Sequence, residues 1–132
     1  MAKFSHDDNM DAMLNNIKTK ATRLCVCSDQ PTSFAEATTT YDGGASKYKL
    51  AIKTIAGTDF TGPDDGDDSG RKLTVNEAAG VTVDASASAT HIALVDFDDE
   101  DVLYVTTCTS QALTSGNTVT VPAFDIEVAD PT

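Results

Sequence analysis

Two clusters of carboxylates are the first residues whose type and spacing could do chemistry. The first cluster comprises Asp64, Asp65, Asp67 and Asp68. The second lies within residues 96–101, where every residue except Phe97 is acidic. Carboxylate oxygens are ligands that Ca²⁺ prefers, but Gly66 and Gly70 stand in the wrong places for an EF-hand loop and no Glu closes it. The pattern therefore favours solvated loops at both places. If a metal ion is bound, the candidate ligands are the four aspartates of the first cluster.

The three cysteines are the next candidates. Cys25 and Cys27 stand two apart in a run that predicts a strand, so their side chains share a face about 6.6 Å apart. A disulfide needs Cβ atoms about 3.8 Å apart, so these two should not bridge each other. Cys108 could pair with either of them if its strand is adjacent. A zinc site would require all three thiols and His91 to converge, whereas buried, reduced thiols are the simpler interpretation.

The remaining chemistry-bearing residues do not form a catalytic motif. His6 and His91 are the only histidines, and neither stands near a Ser or Cys in a nucleophile motif. The Gly43-Gly44 pair lacks the pattern of a phosphate-binding loop. We therefore predict no catalytic residue, no cofactor and no enzymatic activity.

Composition narrows the classes of partner. The chain has 132 residues and a formal net charge of −12, which disfavours nucleic acid and anionic membranes because both are bound through Lys and Arg. Neither an apolar leader after Met1 nor a membrane-spanning stretch is visible in the sequence. The length predicts one domain, which we place at 9–132 after a flexible segment at 1–8.

One helix is predicted near the start of the chain. Met10, Met13, Leu14 and Ile17 recur at helical spacing, which predicts a helix over about 9–19. Asn9 or Asp8 could cap its beginning. The apolar stripe would pack either on the domain's own sheet or on a neighbouring subunit, so these four residues are also the interface candidates.

The rest of the chain reads as strands. Runs at 90–97 and 102–109, joined by the acidic segment, predict a hairpin that lies centrally in a sheet. Further strands are predicted at 22–28, 47–53, 71–75, 81–83, 118–121 and 124–128, and a long loop at 56–70. In 47–53 the side chains of Tyr48, Leu50 and Ile52 should face inward. About seven to eight short strands predict an all-β fold, an antiparallel β-sandwich or barrel with a short N-terminal helix.

Short segments distributed from about residue 9 onward carry a resemblance to known proteins. They are 22–28 (TRLCVCS), 31–38 (PTSFAEAT), 69–72 (SGRK), 87–94 (ASATHIAL), 115–118 (SGNT) and 124–126 (FDI). In these segments the chain resembles a group of small structural proteins of tailed bacteriophages. The resemblance carries over no catalytic residue.

The resemblance implies a virion structural protein, foremost a capsid decoration (cement) protein. Such a protein is made in the host cytoplasm, binds the outer surface of the head through the major capsid protein, and stabilises the particle. It would be a homo-oligomer, with the helix stripe anchoring it to the shell or to a sister subunit. Within the same class, the alternative is a neck, collar or tail component. Outside it, the alternative is a calcium-dependent binding or adhesion module that uses the acidic loops.

Overall fold

The computed structural model describes residues 5–130, which form two α-helices, one turn of 3-10 helix and nine strands. The helices are α1 (Asp7–Lys20) and α2 (Phe34–Thr38), and the 3-10 turn is Gly57–Asp59. The strands are β1 (Arg23–Cys27), β2 (Lys49–Thr54), β3 (Phe60–Asp65), β4 (Arg71–Val75), β5 (Ala78–Thr82), β6 (Ala87–Asp96), β7 (Asp101–Leu113), β8 (Thr118–Val121) and β9 (Phe124–Val128).

The strands form three antiparallel groups. The largest sheet has the order β2-β1-β6-β7, a second has the order β3-β4-β9, and β5 pairs with β8. The groups do not close into one barrel among the residues described. The prediction of an all-β antiparallel sandwich with a short N-terminal helix is therefore confirmed, with nine strands where about seven to eight were expected.

Two apolar clusters lie on opposite faces of the largest sheet. Leu24 of β1 and Leu94 of β6 belong to the main core, which also contains residues of α1 and of the other two strand groups. Cys25 and Val95, on the alternate face, pack into a smaller cluster with Ala37 of α2. The two inner strands are thus buried on both faces, which explains why their sequences are almost continuously apolar.

The hairpin predicted at 90–109 forms, but only one of its arms is central. β6 lies between β1 and β7, whereas β7 pairs with β6 alone and is an edge strand. The prediction that both arms lie inside the sheet is wrong for β7. Its side chains are half-buried or exposed as far as Ala112 because no strand of the described chain covers its outer edge.

The first helix begins earlier than the sequence suggests. It starts at Asp7, and His6 is the N-cap residue, with Nδ1 accepting the Asp8 amide at 3.1 Å. The caps predicted at Asn9 or Asp8 are therefore wrong, and residues 7 and 8 of the segment predicted to be flexible are helical. Two aspartates in the first turn suit the positive end of the helix dipole. Residues 1–4 of the predicted flexible segment lie outside the described residues.

The long loop predicted at 56–70 is mostly structured. The 3-10 turn leads into β3, which pairs with β4 and buries Phe60 to 5% exposure. Only the tip remains a turn, closed by a hydrogen bond from the Gly66 amide to the Gly70 carbonyl at 2.9 Å. The sequence did not predict this strand because Gly62 and Pro63 are of the types that usually interrupt strands. In the structure these two residues lie in the register irregularity between Thr61 and Asp64.

The predicted common face of the 47–53 strand is also wrong. Leu50 packs in the main core, but Tyr48 and Ile52 pack against the cluster on the opposite face. The reason is a bulge: Val26 pairs with Ala51 and Cys27 with Lys49, so that Leu50 is the extra residue. The extra residue turns Leu50 to the same face as its neighbour Ala51, which breaks the alternation at that point.

Candidate binding surface

The first acidic cluster lies along β3 and the turn that follows it, where basic residues of β4 face it. Arg71 Nη1 lies 2.6 Å from Asp65 Oδ1, and Lys72 Nζ lies 2.8 Å from Asp67 Oδ1. The hydrogen bond from Arg71 to Asp11, and after it the bond to Asp65, raises the pKa of Arg71, and the bond from Lys72 to Asp67 raises the pKa of Lys72. Within residues 5–130 no group of three or more potential ligands is placed to hold a metal ion. The four candidate aspartates are therefore not gathered around one point, and two of them neutralise cations of the protein itself.

The second acidic cluster forms the turn between β6 and β7, and one of its members is structural. Asp96 is only 3% exposed, and its Oδ1 accepts the Asp98 amide at 2.8 Å and the Asp99 amide at 3.4 Å. The other acidic residues of the turn are exposed, as the sequence predicts. Asp96 therefore shapes the turn and does not belong to a solvated ligand set.

The three cysteines are free thiols and do not converge. Cys25 and Cys27 are buried in the cluster beneath α2, and burial raises the pKa of Cys25 to about 12. Cys108 packs against the main core, on β7, which is separated from β1 by β6. His91 is directly opposite Cys27 in the β1–β6 ladder, but Cys108 belongs to the other face. The structure therefore brings together neither the disulfide candidates nor the set of zinc ligands.

The apolar stripe of α1 is divided between core and surface. Met10 and Leu14 are buried at 2% and 1% exposure, whereas Met13 is 61% exposed and Ile17 is half-buried. A shallow depression is lined by Ala12, Met13, Asn16, Ile17 and, across from the helix, Leu103 of β7. We call these five residues the helix patch. Only two of the four interface candidates, Met13 and Ile17, therefore reach a surface that a partner could touch.

The helix that carries the helix patch is fixed to the rest of the domain by buried side chains and by polar contacts. The buried side chains of α1 insert into the core, and Arg71 of β4 binds Asp11 on the helix, with Nε 2.8 Å from Oδ1. Lys18 also donates to the Gly62 carbonyl at 2.8 Å. Because these contacts join the helix to the β3–β4 hairpin, the helix patch is preformed and would cost little conformational entropy on binding.

Two further surface features could not be read from the sequence. An apolar cavity of about 150 Å³ opens between β7 and the β8–β9 segment, with Ile92, Cys108 and Pro122 in its lining. Beside the acidic turn, Phe97 is 38% exposed, with the Arg23 guanidinium 4.7 Å from its ring centre and Phe34 edge-on at 5.1 Å. Both arise from residues far apart in the chain, and the only sequence signal was Pro122 interrupting a strand pattern.

The fold and this surface define a small antiparallel β-sandwich that presents an apolar patch on its one long helix. Comparison with protein families, with curated proteins and with solved structures finds no significant match to this chain. In residues 5–130 no helix has both the length and the apolar character needed to cross a membrane.

Proposed function

We propose that this chain is a virion structural protein of a tailed bacteriophage, and specifically a capsid decoration protein that binds the outer surface of the head. The observation that carries the proposal is the helix patch, where a long methionine side chain is 61% exposed on a helix that buries Met10 and Leu14 in the core. A flexible thioether suits an adaptable apolar contact with a shell protein. The sequence resemblance to small phage structural proteins supplies the partner, the major capsid protein.

The distribution of charge supports an exterior position. A net charge of −12 keeps the free protein soluble and would oppose contact with packaged DNA. No acidic residue lines the helix patch, so binding there would desolvate few carboxylates. A cement protein uses such a surface to bridge capsomers, which raises the work needed to rupture the particle.

The test uses heads of the phage that encodes the chain, assembled without it. The purified protein is co-sedimented with these heads, with and without a calcium chelator, and the particles are then heated. We expect binding that survives chelation and raises the rupture temperature. Absence of binding in both conditions would eliminate the decoration role and favour a neck, collar or tail location. Binding lost on chelation would assign the contact to the acidic loops.

A matched pair of variants locates the contact. Met13→Ser removes the apolar contact from the helix patch, and Met13→Leu retains it at the same exposed position. We expect the serine variant to bind heads at least tenfold more weakly and the leucine variant to bind as the wild type does, since burying such a side chain contributes about 1.5 to 3 kcal/mol. Equal binding by both variants would show that another surface holds the protein on the shell.

A further inference from the structure

We propose that the partner surface bound by the helix patch presents an apolar side chain bordered by lysine or arginine side chains, which pair with the acidic turn at residues 98–101. The helix patch supplies the apolar centre of this contact and the turn supplies one side of its polar rim, as in protein–protein interfaces generally. The inference rests on the proposed function for the identity of the partner, a capsid protein. The chemistry of recognition is tested separately on the free protein.

Two contacts place the acidic turn beside the helix patch. Lys20 follows Asn16 by four residues and therefore continues the same face of α1, and its Nζ lies 3.5 Å from Asp99 Oδ2. From the other side, Leu103 lines the patch and lies two residues after Asp101 on β7, which is about 6 to 7 Å along a strand. The turn therefore borders the patch at the C-terminal end of the helix.

The acidic turn keeps most of its negative charge unpaired. Its four residues are exposed acids, and among residues 5–130 only Lys20 lies within ion-pair distance of one of them. The first acidic cluster differs, because Arg71 and Lys72 pair with two of its aspartates. The border of the helix patch at this end therefore attracts a cationic surface and repels an acidic one.

Charge also decides between the possible occupants of the helix patch. A second copy of this chain, with a net charge of −12, would bring the same acidic border to the contact. Nucleic acid and anionic lipid carry negative charge themselves, so the turn opposes both. A basic protein surface is the occupant that the turn favours. Ion pairs at the rim of an interface act mainly on the association rate and its salt dependence, so binding should weaken as salt is added.

The first experiment uses the free protein and a defined probe. The probe is a peptide in which paired leucines are flanked by lysines, and its control carries glutamines in place of the lysines. Nuclear magnetic resonance titration should place the lysine peptide at Met13 and Leu103, with an affinity about three- to tenfold higher than that of the glutamine peptide. The difference should shrink between about 0.1 M and 1 M salt, where the screening length falls from about 10 Å to about 3 Å.

Three results of this titration would overturn the proposal. The first is equal affinity of the two peptides, and the second is binding of neither peptide or binding at a different surface. The third is a concentration-dependent shift of the Met13 signals before any peptide is added, which would assign the helix patch to a second copy of the chain.

The second experiment locates the charge with matched variants. Glu100→Gln/Asp101→Asn removes two charges from the acidic turn, and Asp64→Asn/Asp68→Asn removes two from the first acidic cluster, all at exposed positions. The control charges belong to the β3–β4 hairpin, which contacts the flank of α1 opposite to Met13. We expect the turn variant to bind the lysine peptide about three- to tenfold more weakly than the control variant. Equal binding would show a general attraction to net charge and would refute the proposal.

The same two variants, tested on heads assembled without the protein, separate this inference from the proposed function. Weaker binding of the turn variant than of the control variant would support both. Equal binding of the two variants to heads would retain the decoration role and overturn the basic partner surface. If the wild type did not bind heads but still bound the lysine peptide at the helix patch, the capsid role alone would be refuted.

Discussion

The buried carboxylate of Asp96 offers the most direct test of how the acidic turn is built. Asp96→Ala removes the acceptor of the Asp98 amide, at 2.8 Å, and of the Asp99 amide, at 3.4 Å. The shorter of these is a charge-assisted hydrogen bond, for which removal costs about 1.5 to 3 kcal/mol, and the longer one adds little. The amides sit in an exposed turn where water can partly replace the carboxylate. We therefore expect the free energy of unfolding to fall by about 2 kcal/mol.

Urea denaturation followed by circular dichroism measures this loss directly. For a domain of this size about 2 kcal/mol corresponds to a fall of roughly 6 to 10 °C in Tm. Asp98→Ala, at an exposed position of the same turn, removes the same charge and should change stability by no more than about 0.5 kcal/mol. Asp96→Asn retains a neutral acceptor and should fall between the two. If Asp96→Ala and Asp98→Ala proved equally stable, the structural role assigned to Asp96 would be refuted.

Three further predictions concern the core, the thiols and the pH dependence of stability. Leu94→Ala, at a fully buried position, should lower the free energy of unfolding by about 3 to 5 kcal/mol in urea denaturation. Iodoacetamide at pH 8 should label Cys108 and leave the two thiols of β1 unmodified until urea is added, as mass spectrometry would show, because burial raises their pKa most. Hydrogen bonds from Thr32 lower the pKa of Glu36 below its ordinary value of 4.5. The contribution of the ionised Glu36 to folding stability is therefore fully present above pH 4.5 and is lost as the pH falls through the pKa of the folded state. Glu36→Gln should flatten the decline in stability below about pH 4.5, and an unchanged slope would contradict the assignment.

Local patterns predicted much of the fold. Alternation in 22–28 placed Cys25 and Cys27 on one face, and the structure puts both in the same cluster. The hairpin of β6 and β7 and the period of α1 were also readable, because each depends on residues near one another in the chain. The sequence could not show which part of the apolar stripe of α1 the sheets would cover. That is why Met10 and Leu14, offered as interface candidates, turn out to fill the core.

The errors in the sheets share one physical origin, which is that pairing partners are chosen over long distances. Nothing in the residues of β7 states that β1 will take the other side of β6, yet that choice makes β7 an edge. Nothing local shows that Leu50 will bulge from its ladder with β1, or that β3 will form through Gly62 and Pro63. In each case the energy of a tertiary pairing outweighs the local preference that the sequence displays.

By itself the sequence determined the class of the fold, the amphipathic helix, the hairpin with its acidic connector and the strongly negative charge, because composition and short-range periodicity suffice for these properties. The tertiary structure alone decided that Met13 is exposed while Leu14 is buried, that Asp96 is a structural acceptor, and that Cys108 lies on the face opposite Cys25. These outcomes depend on strand order, register and bulges. They are fixed only when segments distant in the chain compete to bury the same apolar surface and to pair the same backbone groups.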